Sequence, residues 1–358
     1  MTSKAFGLAQ LGNAYADGAL SNRNLIINGA MRVAQRGTSF TGAQANNYFA
    51  CDRIRVAGSS ITTARFTIEQ STDAPAGFSK SHKVTTTTAE GSVPAEDVFY
   101  PAVYRIEGQD LQHLQYSSST AVPITISFYV KSTETGTYVF SLYNNDNARH
   151  IASTYTISAA DTWEYKSFTF VGDTTDGFND DTGIGLELYF IGGAGTDYTS
   201  GTLPSSWEDY VGADFAPGQS VQLQNTLNAT WQITGVQLEA GDTATPFEHR
   251  SYGAELALCQ RYFVSTGRMA VIATINNQHL STTSRVNPVP MRAAPTLSAS
   301  GTYTFNPFYG SGFFTSSNAL VLQSAVPDNF IINFKMGTST NSGFGDVFNA
   351  TFSLSAEL

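Results

Sequence analysis

The chain has 358 residues, of which 13% are charged and 12% aromatic, and its formal net charge is −10. Low charge with ample aromatic content excludes a disordered chain. The acidic balance excludes a nucleic-acid backbone as partner, and no apolar run approaches the ~18 residues of a membrane span. The length suffices for two domains with their own cores. Gln10, Gly12 and Asn13 interrupt any apolar run near Lys4, so no secretory signal is expected. Cys51 and Cys259 lie far apart without metal-ligand spacing and read as two reduced, buried thiols. Assembly in a reducing compartment suits them.

Residues 1–23 are rich in Ala, Gly and Leu without a consistent period. Phe6, Leu8 and Leu11 are apolar but Gly7, Gly12 and Gly18 weaken any helix. Such a segment either docks on another protein or frays. Asn24–Val33 reads as the first strand, with Leu25, Ile27, Gly29, Met31 and Val33 on one face. Clean alternation then marks Ile124–Val130, Tyr138–Leu142, Trp163–Phe170 and Ile184–Phe190, separated by Gly, Asp and Thr turn signals. Many short strands with almost no helical pattern predict an all-β jelly-roll sandwich. Residues 173–214 carry Asp173, Asp176, Asp180, Asp181, Glu187, Asp197, Glu208, Asp209 and Asp214 with no Lys or Arg, a long acidic excursion.

Trp231 and Ile233 alternate with Gln232 and Thr234, and at Gly235 the phase slips so that Val236 and Leu238 become the inward pair. That slip predicts a β-bulge. As last strand of the sandwich, this run is expected beside Asn24–Val33. Pro246 keeps the next segment extended. From Ser251, a plausible N-cap, Tyr252, Leu256, Cys259 and Phe263 fall at helical spacing. Between Val264 and Leu358 stand only Arg268, Arg285, Arg292, Lys335, Asp328, Asp346 and Glu357, alongside eleven aromatics, five of them in Phe305–Phe314. An ordinary monomeric surface carries far more charge, so a second, smaller β-domain packing against copies of itself is expected.

The run Gly235-Val-Gln-Leu-Glu-Ala-Gly-Asp-Thr-Ala-Thr-Pro-Phe-Glu-His-Arg-Ser-Tyr, continuing through Cys259 to Phe263, resembles the motif that closes the lectin-like sandwich of many bacteriophage tail-fibre and virion structural proteins. Asn24-Leu-Ile-Ile-Asn-Gly-Ala-Met and Gln35-Arg-Gly-Thr-Ser-Phe are similar to the opening of that sandwich, so the resemblance covers residues 24–263. Ile54 stands where the family commonly has an aromatic, which removes a sugar platform there. The resemblance implies a virion attachment segment at 1–23, a sandwich at 24–250, a connecting helix at 251–263 and an oligomerising or distal β-domain at 264–358. It also implies a homotrimer on the phage particle. The expected function is a non-enzymatic fibre or receptor-binding appendage that holds host-surface polysaccharide through multivalent weak contacts. The alternative is a purely structural capsid, neck or tail component, and a glycan-degrading enzyme stands third.

No catalytic pattern supports the enzyme. His82, His113, His150, His249 and His279 are scattered, and no Gly-x-Ser-x-Gly elbow or phosphate loop occurs. Paired carboxylates leave no local spacing rule, but the parallel β-helix on which phage fibres usually degrade polysaccharide would show repeats, and none are present. For sugar stacking the candidates are Trp207 and Tyr210 in the acidic excursion, and Tyr143 with Arg149 at a loop tip; Trp163 and Trp231 read as core. No cofactor is expected beyond a possible structural calcium. Asp173, Asp176 and Asp180 are its candidates, against a solvated acidic turn, and the resemblance adds Glu239.

Overall fold

The computed structural model describes residues 23–266 and, beyond them, 269–273, 280–286, 288–307, 314–316, 320–327, 329–335 and 343–358. Residues 1–22, which hold nearly all of the expected attachment segment, lie outside the described residues. The chain divides after Ser251 into two compact units. Strands of the first are, in chain order, Ser39–Ala43 (β1), Asn47–Tyr48 (β2), Arg55–Ser59 (β3), Arg65–Ser71 (β4), Ser81–Thr88 (β5), Val98–Glu107 (β6) and Ile124–Ser132 (β7). They continue with Gly136–Asn144 (β8), Arg149–Ile157 (β9), Glu164–Phe170 (β10), Ile184–Phe190 (β11), Gly193–Ala194 (β12), Glu208–Asp209 (β13) and Thr230–Ala240 (β14). The first sheet runs β1-β4-β5-β14-β7-β10, and the second β13-β9-β8-β11-β6-β3-β2, with β12 also on β6.

Period-two alternation builds the sandwich, since each strand offers one apolar face. Ile124, Ile126, Phe128 and Val130 of β7 are all 0% exposed, and they meet Phe140 and Leu142 of β8 and Leu186, Leu188 and Phe190 of β11 in one core. Rings close the layer: Phe190 lies 5.7 Å from Trp231, and Phe66 stacks on Phe99 at 4.4 Å. Each such side chain contributes ~1.5–3 kcal/mol on burial. The bulge expected at Gly235 is present. The β14–β7 register shifts between Thr234 and Gln237, and Gly235 has φ of 63°.

Asn24–Val33 is not a strand. Asn28 and Met31 take left-handed backbone, with φ of 63° and 56°, and side-chain hydrogen bonds replace a ladder. Asn28 Nδ2 donates to the Val33 and Asp52 carbonyls, both at 2.9 Å. The segment nevertheless lies beside β14 as expected. Asn24 Oδ1 accepts from Leu238 N, Asn24 Nδ2 donates to Val236 O, and Leu25 N donates to Leu238 O. A Cβ on Gly29 would sit 2.1 Å from Val236 O, so only glycine permits this approach. Glu248 accepts from Asn24 N, and Arg250 donates to the Asn24 and Ile26 carbonyls. The opening and closing motifs are thus stitched together.

The second unit begins with helix α1, Tyr252–Gln260. Its expected single face does not form, because Tyr252 is 48% exposed and Phe263 already belongs to a strand. Strands Phe263–Thr266 (β15), Met269–Ala273 (β16), Leu280–Val286 (β17), Thr296–Pro307 (β18), Phe314–Ser316 (β19), Leu320–Val326 (β20), Asn329–Lys335 (β21) and Gly343–Ser355 (β22) follow. They pair antiparallel in the order β19-β18-β22-β16-β17-β21-β20, with β15 on β22. Within the aromatic run, Phe308, Tyr309 and Phe313 lie outside the described residues. Cys51 and Cys259 are both buried free thiols.

Candidate functional site

Residues directly opposite across paired strands share a face, and the second sheet's registers build two rows on the side turned away from the core. Glu208 of β13 faces His150 of β9, which faces Tyr143 of β8, then Glu187 of β11, then Arg105 of β6. One step along, Ser141 faces Tyr189, then Val103, then Arg55, then Tyr48. Each polar side chain alternates with a core one, as Glu187 and Tyr189 do with Leu186, Leu188 and Phe190. A sheet face solvated at random would carry threonines and serines. This one carries tyrosines, arginines, a histidine and carboxylates.

The centre of the face is tied into one network. Arg105 Nε donates to Glu187 Oε1 at 2.6 Å, and Tyr189 Oη donates to Glu187 Oε2 at 2.9 Å. Glu187 is only 3% exposed, and two charge-assisted bonds hold it as a fixed acceptor. Burial works against the Arg105 charge, but Glu187 outweighs it and raises the guanidinium above its ordinary range. Burial and then the Glu187 charge push the Tyr189 and Tyr143 hydroxyls up, so both stay protonated. Arg55 shifts the other way, lowered by burial and then by the like charge of Arg105. Tyr48 and Val103 flank it in register, with Tyr189 beyond Val103.

One end of the face is covered. Phe215, from the excursion after β13, packs 5.3 Å from Tyr189 and 6.2 Å from Tyr100, and its carbonyl accepts from Ser141 Oγ. His150 stacks on Phe215 at 6.0 Å and sits 3.4 Å from Glu208 without forming a hydrogen bond. Burial lowers its pKa and keeps it neutral. Tyr210 borders this cover. It is 39% exposed, edge-on to Tyr143 at 5.4 Å, with its hydroxyl pushed up to about 12 by burial. Tyr48, Arg55, Arg105, Tyr143 and Tyr189 remain half-exposed.

The four residues singled out for sugar contact are brought together, but they divide into two roles. Tyr143 and Tyr210 stand on the outer face. Trp207 does not: it is 8% exposed, its Nε1 donates to Val171 O at 2.8 Å, and its ring abuts Tyr116 at 5.8 Å. Glu208 points outward, so its neighbour Trp207 points into the core. Arg149 is also below the surface. It donates to Asp173 at 2.7 Å, to Asp209 at 2.8 Å and to Trp207 O at 3.0 Å, clasping the acidic excursion to β9. Trp163, expected in the core, is half-exposed at the start of β10, donating to Asp73 at 3.2 Å under Lys131. Trp231 is in the core, 0% exposed.

For calcium, the expected loop is a poor fit. The Arg149 guanidinium stands where a cation would, 2.7 Å from Asp173 and 3.5 Å from Asp176, and Asp180 is exposed. Glu239 is saturated by donors from Thr245 and Gln237. Among the described residues no group of three or more His, Cys, Asp or Glu side chains is placed to hold a metal ion. Oxygens without donors occur elsewhere: both carboxylate oxygens of Asp97, Gln224 Oε1 and Asn225 Oδ1 are buried with no hydrogen-bond partner. These are oxygen ligands of the type a hard cation takes.

No family model matches the sequence, and no curated protein matches it. Several solved structures are similar to part of this chain. The enzymatically active domain of bacteriophage CBA120 tailspike protein 4 has a TM-score of 0.29 at 10% identity, covering 61% of this chain and 21% of that one. A family 11 carbohydrate-binding module from Clostridium thermocellum, in complex with a mixed-linked tetrasaccharide, has a TM-score of 0.29 at 9% identity, covering 58% of this chain and 98% of that one. An exo-β-agarase has a TM-score of 0.30 at 9% identity, covering 60% and 26%. This chain thus matches about a fifth of the tailspike domain's length. These likenesses are loose, and the sandwich is defined by the registers given above.

Proposed function

We propose that this protein is a non-enzymatic glycan-binding component of a bacteriophage virion, a fibre or receptor-binding appendage. The observation that carries the binding part is the pair of rows on the second sheet. Tyr48, Tyr143 and Tyr189 offer ring faces for pyranose stacking, while Arg105, Arg55 and Glu187 offer planar, fixed groups for sugar hydroxyls. The network favours binding over catalysis, because both oxygens of Glu187 are held as acceptors by Arg105 and Tyr189.

The virion assignment rests on the opening and closing motifs, which resemble those of phage fibre proteins. In this reading residues 1–23 attach to the particle, and residues 264–358, poor in charge, hold three copies together. Weak contacts at each copy then multiply into useful avidity. The full chain should bind host cells and a subset of immobilised bacterial oligosaccharides on an array, and Tyr143→Ala and Tyr189→Ala should each weaken that binding about tenfold. No binding to cells or array at high valency would leave the purely structural role. Sugar release from the bound polysaccharide would replace binding with catalysis.

A further inference from the structure

Arg55 is the arginine of the two rows that has no carboxylate in direct contact among the described residues. Arg105, one strand away, is paired with Glu187 at 2.6 Å. Among the described residues Arg55 forms no ion pair; its guanidinium donates to the neutral Asn46 Oδ1 at 3.2 Å. It is half-buried, and the nearby Arg105 adds like-charge repulsion to the loss of hydration. Glu187 attracts it without direct contact, since Arg105 and the Tyr189 hydroxyl already engage its two oxygens. Holding a half-buried guanidinium this way is unfavourable unless an anion completes it. A chain of net charge −10 would more simply have supplied a carboxylate.

Resting on the glycan-binding reading, we propose that the ligand is an acidic sugar whose carboxylate seats on Arg55. A guanidinium presents a planar fork that matches a carboxylate with two parallel hydrogen bonds. In register, Arg55 lies between Tyr48 of β2 and Val103 of β6, with Tyr189 beyond Val103. That register sets one tyrosine beside Arg55 and a second two strands away. A uronic acid unit would place its carboxylate on Arg55 and its pyranose ring against one tyrosine, and a neighbouring unit would reach the Arg105–Glu187 pair. The opposite end of the face, at Glu208, is acidic and would repel the same carboxylate. The charge pattern therefore also fixes which way the chain of sugars runs.

The test uses the full chain and a panel of polygalacturonate, polymannuronate and hyaluronan oligomers, each beside its carboxyl-reduced, neutral counterpart, with neutral glucans and galactans added. Calorimetry at low and high salt should show at least one acidic oligomer binding about tenfold or more tightly than its reduced form, with the margin shrinking as salt rises. Arg55→Gln should erase the margin, and Arg55→Lys should keep part of it. Unchanged melting temperatures certify that the variants fold. Equal affinity for acidic and reduced forms, or a margin that survives Arg55→Gln, overturns the proposal and leaves the glycan reading standing. Failure of every oligomer, acidic and neutral, overturns both.

Discussion

The two sheets of the sandwich share a core and differ on their outer faces. On the first sheet the outward residues of β7, β10 and β5 include Thr125, Ser127, Ser167, Thr169, Lys83 and Thr85, with Thr125 and Thr169 hydrogen-bonded across strands at 2.9 Å. Its ion pairs run from Lys131–Asp73 at 2.5 Å to Lys83–Glu69 at 4.0 Å, the latter with both side chains about a third exposed. On the second sheet the same alternation delivers Tyr143, Glu187, Tyr189, Arg105 and Arg55, with a pair at 2.6 Å and a carboxylate 3% exposed. Alternation decides only which residues point outward. What a face can hold depends on the chemistry of the residues that stand there.

The largest expected effect lies in what the sheets share. Trp231→Ala, at the centre of the common core, should cost ~3–5 kcal/mol in denaturant unfolding, and both faces should be lost together in one transition. Next come the ion pairs. Glu187→Ala strands a half-buried guanidinium and should cost ~2–3 kcal/mol, whereas Glu69→Ala on the first sheet should change stability by less than ~0.5 kcal/mol. Comparable losses from the two variants would erase the distinction between the faces.

A smaller effect depends on pH and again sets one sheet against the other. His82 of β5 is 1% exposed, its Nε2 lies 2.9 Å from Pro101 O, and burial pushes its pKa down to about 4. The unfolded chain protonates this residue near 6.5, so its contribution falls as pH drops from 6.5 to about 4. Asp97, just before β6, is 0% exposed, and burial with the nearby Glu90 and Glu96 pushes it up to about 6. The folded chain takes that proton first, so this contribution rises as pH falls from about 6 toward 4. Parent stability should therefore be nearly flat between those values. Asp97→Asn should gain on the order of 1–2 kcal/mol at pH 7 and lose that gain by pH 4, read from melting curves across pH. A drop at pH 7 instead, matched by chelator in the parent, would mark Asp97 as a cation ligand.

Much of the fold was legible in the sequence because apolar alternation is a local signal. Ile124–Val130 and Ile184–Phe190 read as strands, and the phase slip at Gly235 gave the bulge. Asn24–Val33 misled because its apolar spacing imitates a strand while Asn28 and Met31 take left-handed backbone that no local pattern announces. Strand β6 was hard to read because Pro101 argues against a central strand; it is tolerated where the β6–β3 register carries an extra residue. Of the site, Tyr143 and Tyr210 were found as exposed aromatics near a turn. Arg55, Arg105, Glu187 and Tyr189 were missed because they meet only through cross-strand register. The signal that pointed to them was the presence of Tyr, Arg and Glu, where Thr or Ser would do, between the core positions of β6 and β11.

The most direct measurement compares one tyrosine from each outer face. Tyr165 of β10 is 49% exposed and lies 5.1 Å from Tyr129, an aromatic pair on the first sheet as accessible as any on the second. Calorimetric titration of the full chain with an oligosaccharide it binds should show Tyr189→Ala weakening affinity about tenfold and Tyr165→Ala leaving it unchanged. Loss of binding on Tyr165→Ala with full affinity in Tyr189→Ala would contradict the account and move the site to the other sheet.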